Sequence, residues 1–143
     1  MSDESGHDEQ AAGSIDRLAD AFENGTLQPG EFNHEAHIKV GWWYLRQYEL
    51  LEAVTRFSAA IAHLTRKLGV ADKYHETITF FYLLMIAERL GGSGGRNWTA
   101  FKADNPDLFA RGPGLLQSYY SDELLHSAKA RRQFVVPDLL RSA

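Results

Sequence analysis

Histidines are the residues of this sequence whose types and spacing could do chemistry. His34 and His37 stand three residues apart in the stretch FNHEAHIKVGWWYL, and His75 stands in KYHETITFFYLL. Neutral imidazole is a ligand that suits zinc, iron and copper. Residues at positions i and i+3 of a helix share a face, so His34 and His37 can reach the same ion if a helix carries them. The pattern therefore favours a metal centre built from these three side chains.

Apolar spacing predicts the helices that would position the histidines. We predict four main helices, over about residues 14–24, 33–47, 49–68 and 72–90, and short helices after them. No glycine or proline separates the second helix from the third. However, the apolar stripe that ends at Leu45 would continue at Glu49 and Glu52, whereas the next segment has its apolar residues in another phase. The phase change predicts a break near residues 47–49.

The order of the helices then predicts that the histidines meet. Helices joined by short loops pack antiparallel, so the second and fourth helices start at the same end of the bundle. His34 and His75 lie in first turns, and His37 lies one turn further on. We therefore expect all three imidazoles at one level. The prediction depends on the break near 47–49, because one continuous helix would separate the two motifs.

The predicted centre holds one divalent transition metal (zinc, iron or copper) and acts on a small organic substrate. Zinc would support hydrolysis or hydration, and iron or copper would support oxidation. Glu76 is the candidate general base or fourth ligand, and Glu35 is a second carboxylate beside a histidine. Adjacent helix residues point about 100° apart and the helix dipole also favours acids in first turns, so neither carboxylate shares the site automatically. The candidates for orienting substrate are Tyr74, Tyr119 and Tyr120, although Tyr74 is also explained by packing.

Composition bounds the class of protein. The chain has 143 residues, 44% of them hydrophobic, which fits one domain with a packed core. Helical apolar spacing without strand alternation predicts that this domain is all-α. The absence of cysteine excludes disulfides and thiolate ligands. Residues 1–24 hold seven acids and one base, so we predict an acidic flexible tail over 1–13 and a single-domain helical bundle over 14–143.

Charge and hydropathy also limit the partners. Lysine and arginine do not cluster as nucleic-acid binding requires, and no apolar run approaches the ~20 residues that cross a bilayer. With no secretory signal, the expected compartment is the cytoplasm. The alternative function is a non-catalytic protein that binds a ligand or a partner without metal, in which the histidines cap helices. The run Trp42, Trp43 and Tyr44 wraps about 200° of a helix, so not all three rings can face the core. We expect some of them to line a pocket or a partner surface, and an exposed surplus would indicate a possible homodimer.

Four blocks of the chain resemble a small bacterial all-helical family of hypothetical proteins. The blocks read F-x-H-x-x-H at 32–37, Y-H-E-T-x-T at 74–79, Y-Y-S at 119–121 and F-x-x-P-D-L at 134–139. Ile38 stands where the family pattern has leucine. The resemblance covers about residues 32–139 and implies one domain with a shared site, but it implies no particular reaction.

Overall fold

The computed structural model describes residues 2–91, 97–110 and 114–139, with side chains from residue 13 onward. The described residues form one all-α domain, as predicted, and contain no β-strand. The helices are α1 (Ser2–Asn24), α2 (His34–Gln47), α3 (Leu50–Lys67), α4 (Glu76–Arg89), α5 (Trp98–Asp104), α6 (Leu115–Tyr119), α7 (Asp122–Leu125) and α8 (Ala128–Arg132). No helix in these ranges is long and apolar enough to span a membrane.

Helix α1 begins earlier than its apolar stripe indicates. It runs from Ser2, whereas the sequence predicts a start at Ser14. No proline interrupts residues 2–13, so the backbone can stay helical where apolar residues are too few to show a stripe. The division into a flexible tail and a bundle stays a prediction. The helix ends as predicted at Gly25, whose φ of 69° is the left-handed conformation that glycine adopts readily.

The predicted break between α2 and α3 is confirmed. Helix α2 ends at Gln47 and α3 begins at Leu50, and both Tyr48 and Glu49 have extended backbone conformations. The change in hydrophobic phase has a physical basis, because α3 buries Val54, Phe57 and its other apolar residues in a different direction from α2.

The start of α4 differs from the prediction and changes the role of His75. A 3₁₀ turn spans Ala71–Lys73, and α4 begins only at Glu76. His75 is therefore not a first-turn residue. It is the N-cap, with an extended backbone, and its side chain bonds to the helix that it precedes.

Helices α2 and α4 form the centre of the domain. Each contributes to two apolar clusters, one shared with α1 and α3 and the other with α5, α6 and α7. The two helices approach closely at Gly41, where an added Cβ atom would lie 3.0 Å from Leu83 and 3.2 Å from Ile86. Trp42 and Tyr44 are buried in opposite clusters. The half-buried Trp43 donates its indole N–H to Asp16 at 2.7 Å and, with Trp42, lines a small hollow beside α1.

Candidate functional site

The first histidine motif lies at the N-terminus of α2. Asn33 caps the helix by accepting a hydrogen bond from the backbone N–H of Ala36 at 2.9 Å, which fixes the first turn that carries His34. The rings of His34 and His37 are 6.4 Å apart between centroids and nearly perpendicular. The Nε2–H of His34 donates to the carbonyl oxygen of Leu108 at 2.7 Å. His34 therefore ties the start of α2 to the 3₁₀ turn that follows α5.

His75 uses both of its ring nitrogens on backbone groups. Its Nδ1 accepts from the N–H of Ile78 at 3.3 Å, and its Nε2–H donates to the carbonyl oxygen of Leu125 at 2.7 Å. This pair of bonds requires the neutral Nε2–H tautomer. Burial lowers the pKa of His75, which favours that neutral form. The imidazole is thus an N-cap and a clasp on the end of α7, and it has no lone pair left for a metal.

The structure does not bring the three predicted ligands together. The Nε2–H of His34 bonds to Leu108 and its ring packs on Tyr82 at 4.9 Å between centroids, whereas His75 bonds to Ile78 and Leu125. Among the described residues, no group of three His, Cys, Asp or Glu side chains is arranged to hold a metal ion. The expectation that the three imidazoles form one metal-binding group is therefore not supported by the described residues, and the bound metal stays a prediction.

His37 is a core residue. Its side chain is only 9% exposed, and its ring stacks on Phe57 at 5.2 Å and lies 6.0 Å from Phe32. Its Nε2 has no hydrogen-bond partner among the described residues. Burial, with a smaller effect from the nearby charge of His34, lowers the pKa of His37 to about 3. His37 is consequently neutral near pH 7 and acts as an aromatic packing group.

Two of the predicted catalytic residues meet, together with one that the sequence did not reveal. The hydroxyl groups of Tyr74 and Ser58 both donate to Oε1 of Glu76, and the Ser58 distance is 2.9 Å. The two hydroxyl oxygens are 3.0 Å apart. Burial and the neighbouring Glu76 carboxylate raise the pKa of Tyr74, so its hydroxyl keeps its proton. The cluster is a half-buried carboxylate held by two donors, and its Oε2 has no partner among the described residues.

The other two predicted catalytic residues belong to a different part of the molecule. Tyr120 is buried and donates its hydroxyl to the carbonyl oxygen of Val135 at 2.7 Å, and burial raises its pKa to about 12. Tyr119 packs on Phe81 at 5.3 Å, and its carbonyl oxygen accepts from the N–H of Leu139. Both tyrosines therefore hold the segment 133–139 against the body. Neither is part of the Glu76 cluster.

Further bonds attach the same C-terminal segment. Thr77 donates its hydroxyl to the carbonyl oxygen of Gln133 at 2.9 Å and accepts from the N–H of Val135 at 3.2 Å. Ser121 donates its hydroxyl and its backbone N–H to the carboxylate of Asp138 at 2.6 and 2.8 Å. The Y-Y-S and P-D-L blocks thus have a structural role in attaching this segment. Glu35 is engaged elsewhere, in ion pairs with Lys102 and Lys39.

Helix α4 exposes apolar surface beside the Glu76 cluster. Glu76, Phe80 and Leu84 follow each other at intervals of four residues, so they lie along one side of the helix. Phe80 stacks on Phe134 at 5.9 Å, Leu84 is 37% exposed, and Val136 is 72% exposed. We call these five residues the α4 face. It begins with a carboxylate and continues as apolar surface.

Two concave regions lie near α1. A groove of about 400 Å³ separates α1 from the start of α2 and carries both signs of charge, with Arg17 and Lys39 against Glu31 and Glu35. A smaller hollow of about 190 Å³ lies between α1 and Trp42. The lysine pairs of Glu35 and the mixed charge leave the larger groove without a preferred ligand charge.

Comparison with known proteins gives no match to a family model, to a curated protein or to a solved structure. The family resemblance of the four blocks stays a prediction. The function must therefore be inferred from the geometry of the site.

Proposed function

We propose that this protein is a metal-independent interaction protein whose α4 face takes an apolar segment of a partner protein. This is the second of the two functions left open by the sequence. A metal-dependent enzyme is disfavoured, because both ring nitrogens of His75 bond to backbone groups and no three potential ligands among the described residues are arranged to hold a metal ion.

The observation that carries the proposal is the exposure of large apolar side chains on the most apolar of the main helices. Helix α4 has Phe80 half-buried and Leu84 exposed on its outer side, next to Phe134 and the strongly exposed Val136. An exposed apolar side chain costs free energy in water, and grouped ones are typical of surfaces that bind other proteins. The bonds of Thr77 to the segment 133–135 hold Phe134 and Val136 beside α4.

The Glu76 cluster gives the α4 face a charge at one end. Ser58 and Tyr74 hold one carboxylate oxygen and leave Oε2 for a donor from outside. Glu76 and Leu84 are eight residues apart, about 12 Å along the helix. A fitting partner segment therefore carries a lysine or arginine about 12 Å from an aliphatic or aromatic anchor. The charge specifies orientation, and the apolar contacts supply most of the affinity.

Site-specific photo-crosslinking tests this function and identifies the partner in the same experiment. A benzophenone amino acid replaces Leu84 or Val136 in chains expressed in the cells that make the protein, and the same group at the exposed polar Glu123 is the control. We expect covalent adducts of the same mass from both apolar positions and none from Glu123. The Glu76→Gln variant should lower the yield at Leu84. Equal adduct yields at Glu123 and Leu84, or no adduct at either apolar position, would refute the proposal.

Elemental analysis of the untagged protein tests the metal-independent part. We expect no stoichiometric zinc, iron or copper, and no difference between the wild type and the His34→Ala and His75→Ala variants. One equivalent of metal that is lost in both variants would return the function to a metal centre.

A further inference from the structure

We infer that the outer face of α3 pairs with the same face of a second copy of this chain, with the two helices antiparallel. This inference concerns a surface separate from the α4 face and does not depend on the function proposed above. It rests on the exposure, order and charge of the residues along α3.

The outer face of α3 is left uncovered between its two packed flanks. One flank meets α1, where His63 and Lys67 lie against Gly25. The other flank meets the Glu76 cluster through Ser58. Between the flanks run the outer residues Leu51, Thr55, Ala59, Ala62 and Arg66, all exposed except the half-exposed Ala62.

Leu51 is the most strongly exposed large apolar residue among those described, at 80% of its surface. Helix α3 nevertheless buries Val54, Phe57 and Ile61 on its inner side, so its pattern places a leucine on the outside of an amphipathic helix. From Thr55 to Ala62 the outer face carries only small side chains without charge. A second helix can therefore approach it closely without burying an unpaired ion.

The outer face is complementary to itself only in the antiparallel direction. Two antiparallel α3 helices can cross at the point midway between Ser58 and Ala59. In this register Leu51 lies opposite the arginine at position 66 of the second copy, and Thr55 lies opposite the alanine at position 62 of that copy. Leu51 can then pack on the aliphatic part of that arginine. A parallel pair would instead place Leu51 on Leu51 and leave the arginines against each other.

Charge supports the same direction. The first turn of α3 and its cap carry the acids Glu49 and Glu52, and its last turn carries the bases Arg66 and Lys67. An antiparallel pair places the acids of each copy beside the bases of the other, at both ends. Neither Glu49 nor Arg66 has a salt bridge within the part of the chain that the structure describes. Glu52 pairs with Arg56 of its own helix at 3.1 Å and remains exposed.

The size of the contact predicts a weak dimer. The span from Leu51 to Arg66 is fifteen residues, about 22 Å of helix. A single helix pair of this length buries less than the roughly 800 Å² per partner of a standard stable interface. We therefore expect a monomer–dimer equilibrium with a dissociation constant of about 10–100 μM.

Sedimentation velocity of the untagged protein from about 5 to 500 μM tests the inference. The wild type should shift from monomer to dimer across this range. Ala59→Arg, which places a charged side chain at the centre of the contact, should remain monomeric, and Ala103→Arg, the same change at an exposed position of α5, should behave as the wild type. Thermal unfolding should confirm that both variants are folded. A wild type that stays monomeric at 500 μM would overturn the inference, as would a dimer that Ala59→Arg leaves intact.

A charge exchange tests the antiparallel register. Glu52→Arg alone and Arg66→Glu alone should each weaken the dimer by about tenfold, because each places like charges together at both ends. The double variant should return to within about threefold of the wild type. Failure of the double variant to recover, with both single variants folded and weakened, would overturn the antiparallel pairing. A monomer that still gives crosslinks from Leu84 to another protein would leave the proposed function standing and remove only this inference.

Discussion

Burial of His37 predicts a specific acid sensitivity of the fold. The pKa of this imidazole is lowered from 6.5 to about 3 in the folded protein, while the unfolded chain keeps the ordinary value. As the pH falls below 6.5, the unfolded state binds a proton that the folded state does not bind. Stability is therefore fully present above pH 6.5 and is lost as the pH falls from there toward 3.

The size of the effect follows from those two pKa values. Between pH 7 and pH 5 the linkage relation gives a loss of ~2 kcal/mol in the free energy of unfolding from His37 alone. This is a large part of the total stability of a small domain. The Nε2 atom gains no hydrogen bond that would offset the cost of protonation, because it has no partner among the described residues.

The assay is urea unfolding at pH 7 and pH 5, compared between the wild type and His37→Leu. Leucine is of similar volume, apolar and unable to titrate, so the variant keeps the packing on Phe57 and loses the proton linkage. The wild type should lose ~2 kcal/mol more than the variant between the two pH values. The contribution of His75, whose pKa is also lowered, is common to both proteins and cancels. Equal losses in the two proteins would refute the assignment of the acid sensitivity to His37.

Four further variants test the bonds and the packing contact that hold the helices and the C-terminal segment in place. His75→Ala should lower the free energy of unfolding in urea by about 2 kcal/mol through the lost cap and the lost bond to Leu125, and His75→Asn should recover about half by restoring the cap; an unchanged His75→Ala would contradict this role. Tyr120→Phe should cost about 1 kcal/mol and speed amide exchange over residues 133–139, and unchanged exchange there would contradict the attachment. Gly41→Ala should lower the thermal midpoint, at a cost of about 1–3 kcal/mol, because its Cβ would meet Leu83; a midpoint at or above that of the wild type would show that α2 and α4 can separate.

The sequence predicts the elements of this fold better than their relative positions. The phase change after Leu45 predicts the break between α2 and α3, because the direction in which a helix buries its side chains is a local property of the chain. The start of α1 is missed, since residues 2–13 can be helical without an apolar stripe. Both the confirmed break and the missed helix start depend on the local pattern of apolar residues.

The site depends on non-local geometry and is predicted only in part. Tyr74 and Glu76 are only two residues apart in the sequence, and their side chains form a hydrogen bond. Ser58 joins them from another helix, and no signal in α3 distinguishes it from other polar residues at the edge of an apolar stripe. The use of His34 and His75 as shared ligands fails for a related reason. Helix order gives the end of the bundle at which each histidine lies, but it does not reveal that the distant carbonyl groups of Leu108 and Leu125 accept their Nε2–H groups.

The carbonyl partners of His34 and His75 have a consequence for how the chain folds during synthesis. His34 bonds to a residue 74 positions later and His75 to one 50 positions later. On the ribosome, both helix starts exist long before Leu108 and Leu125 have been translated. Until those two residues emerge, the Nε2–H groups of both histidines bond to water, and only then can they bond to the carbonyl groups. Such distant closures slow folding, so these two contacts form late in the folding of the domain.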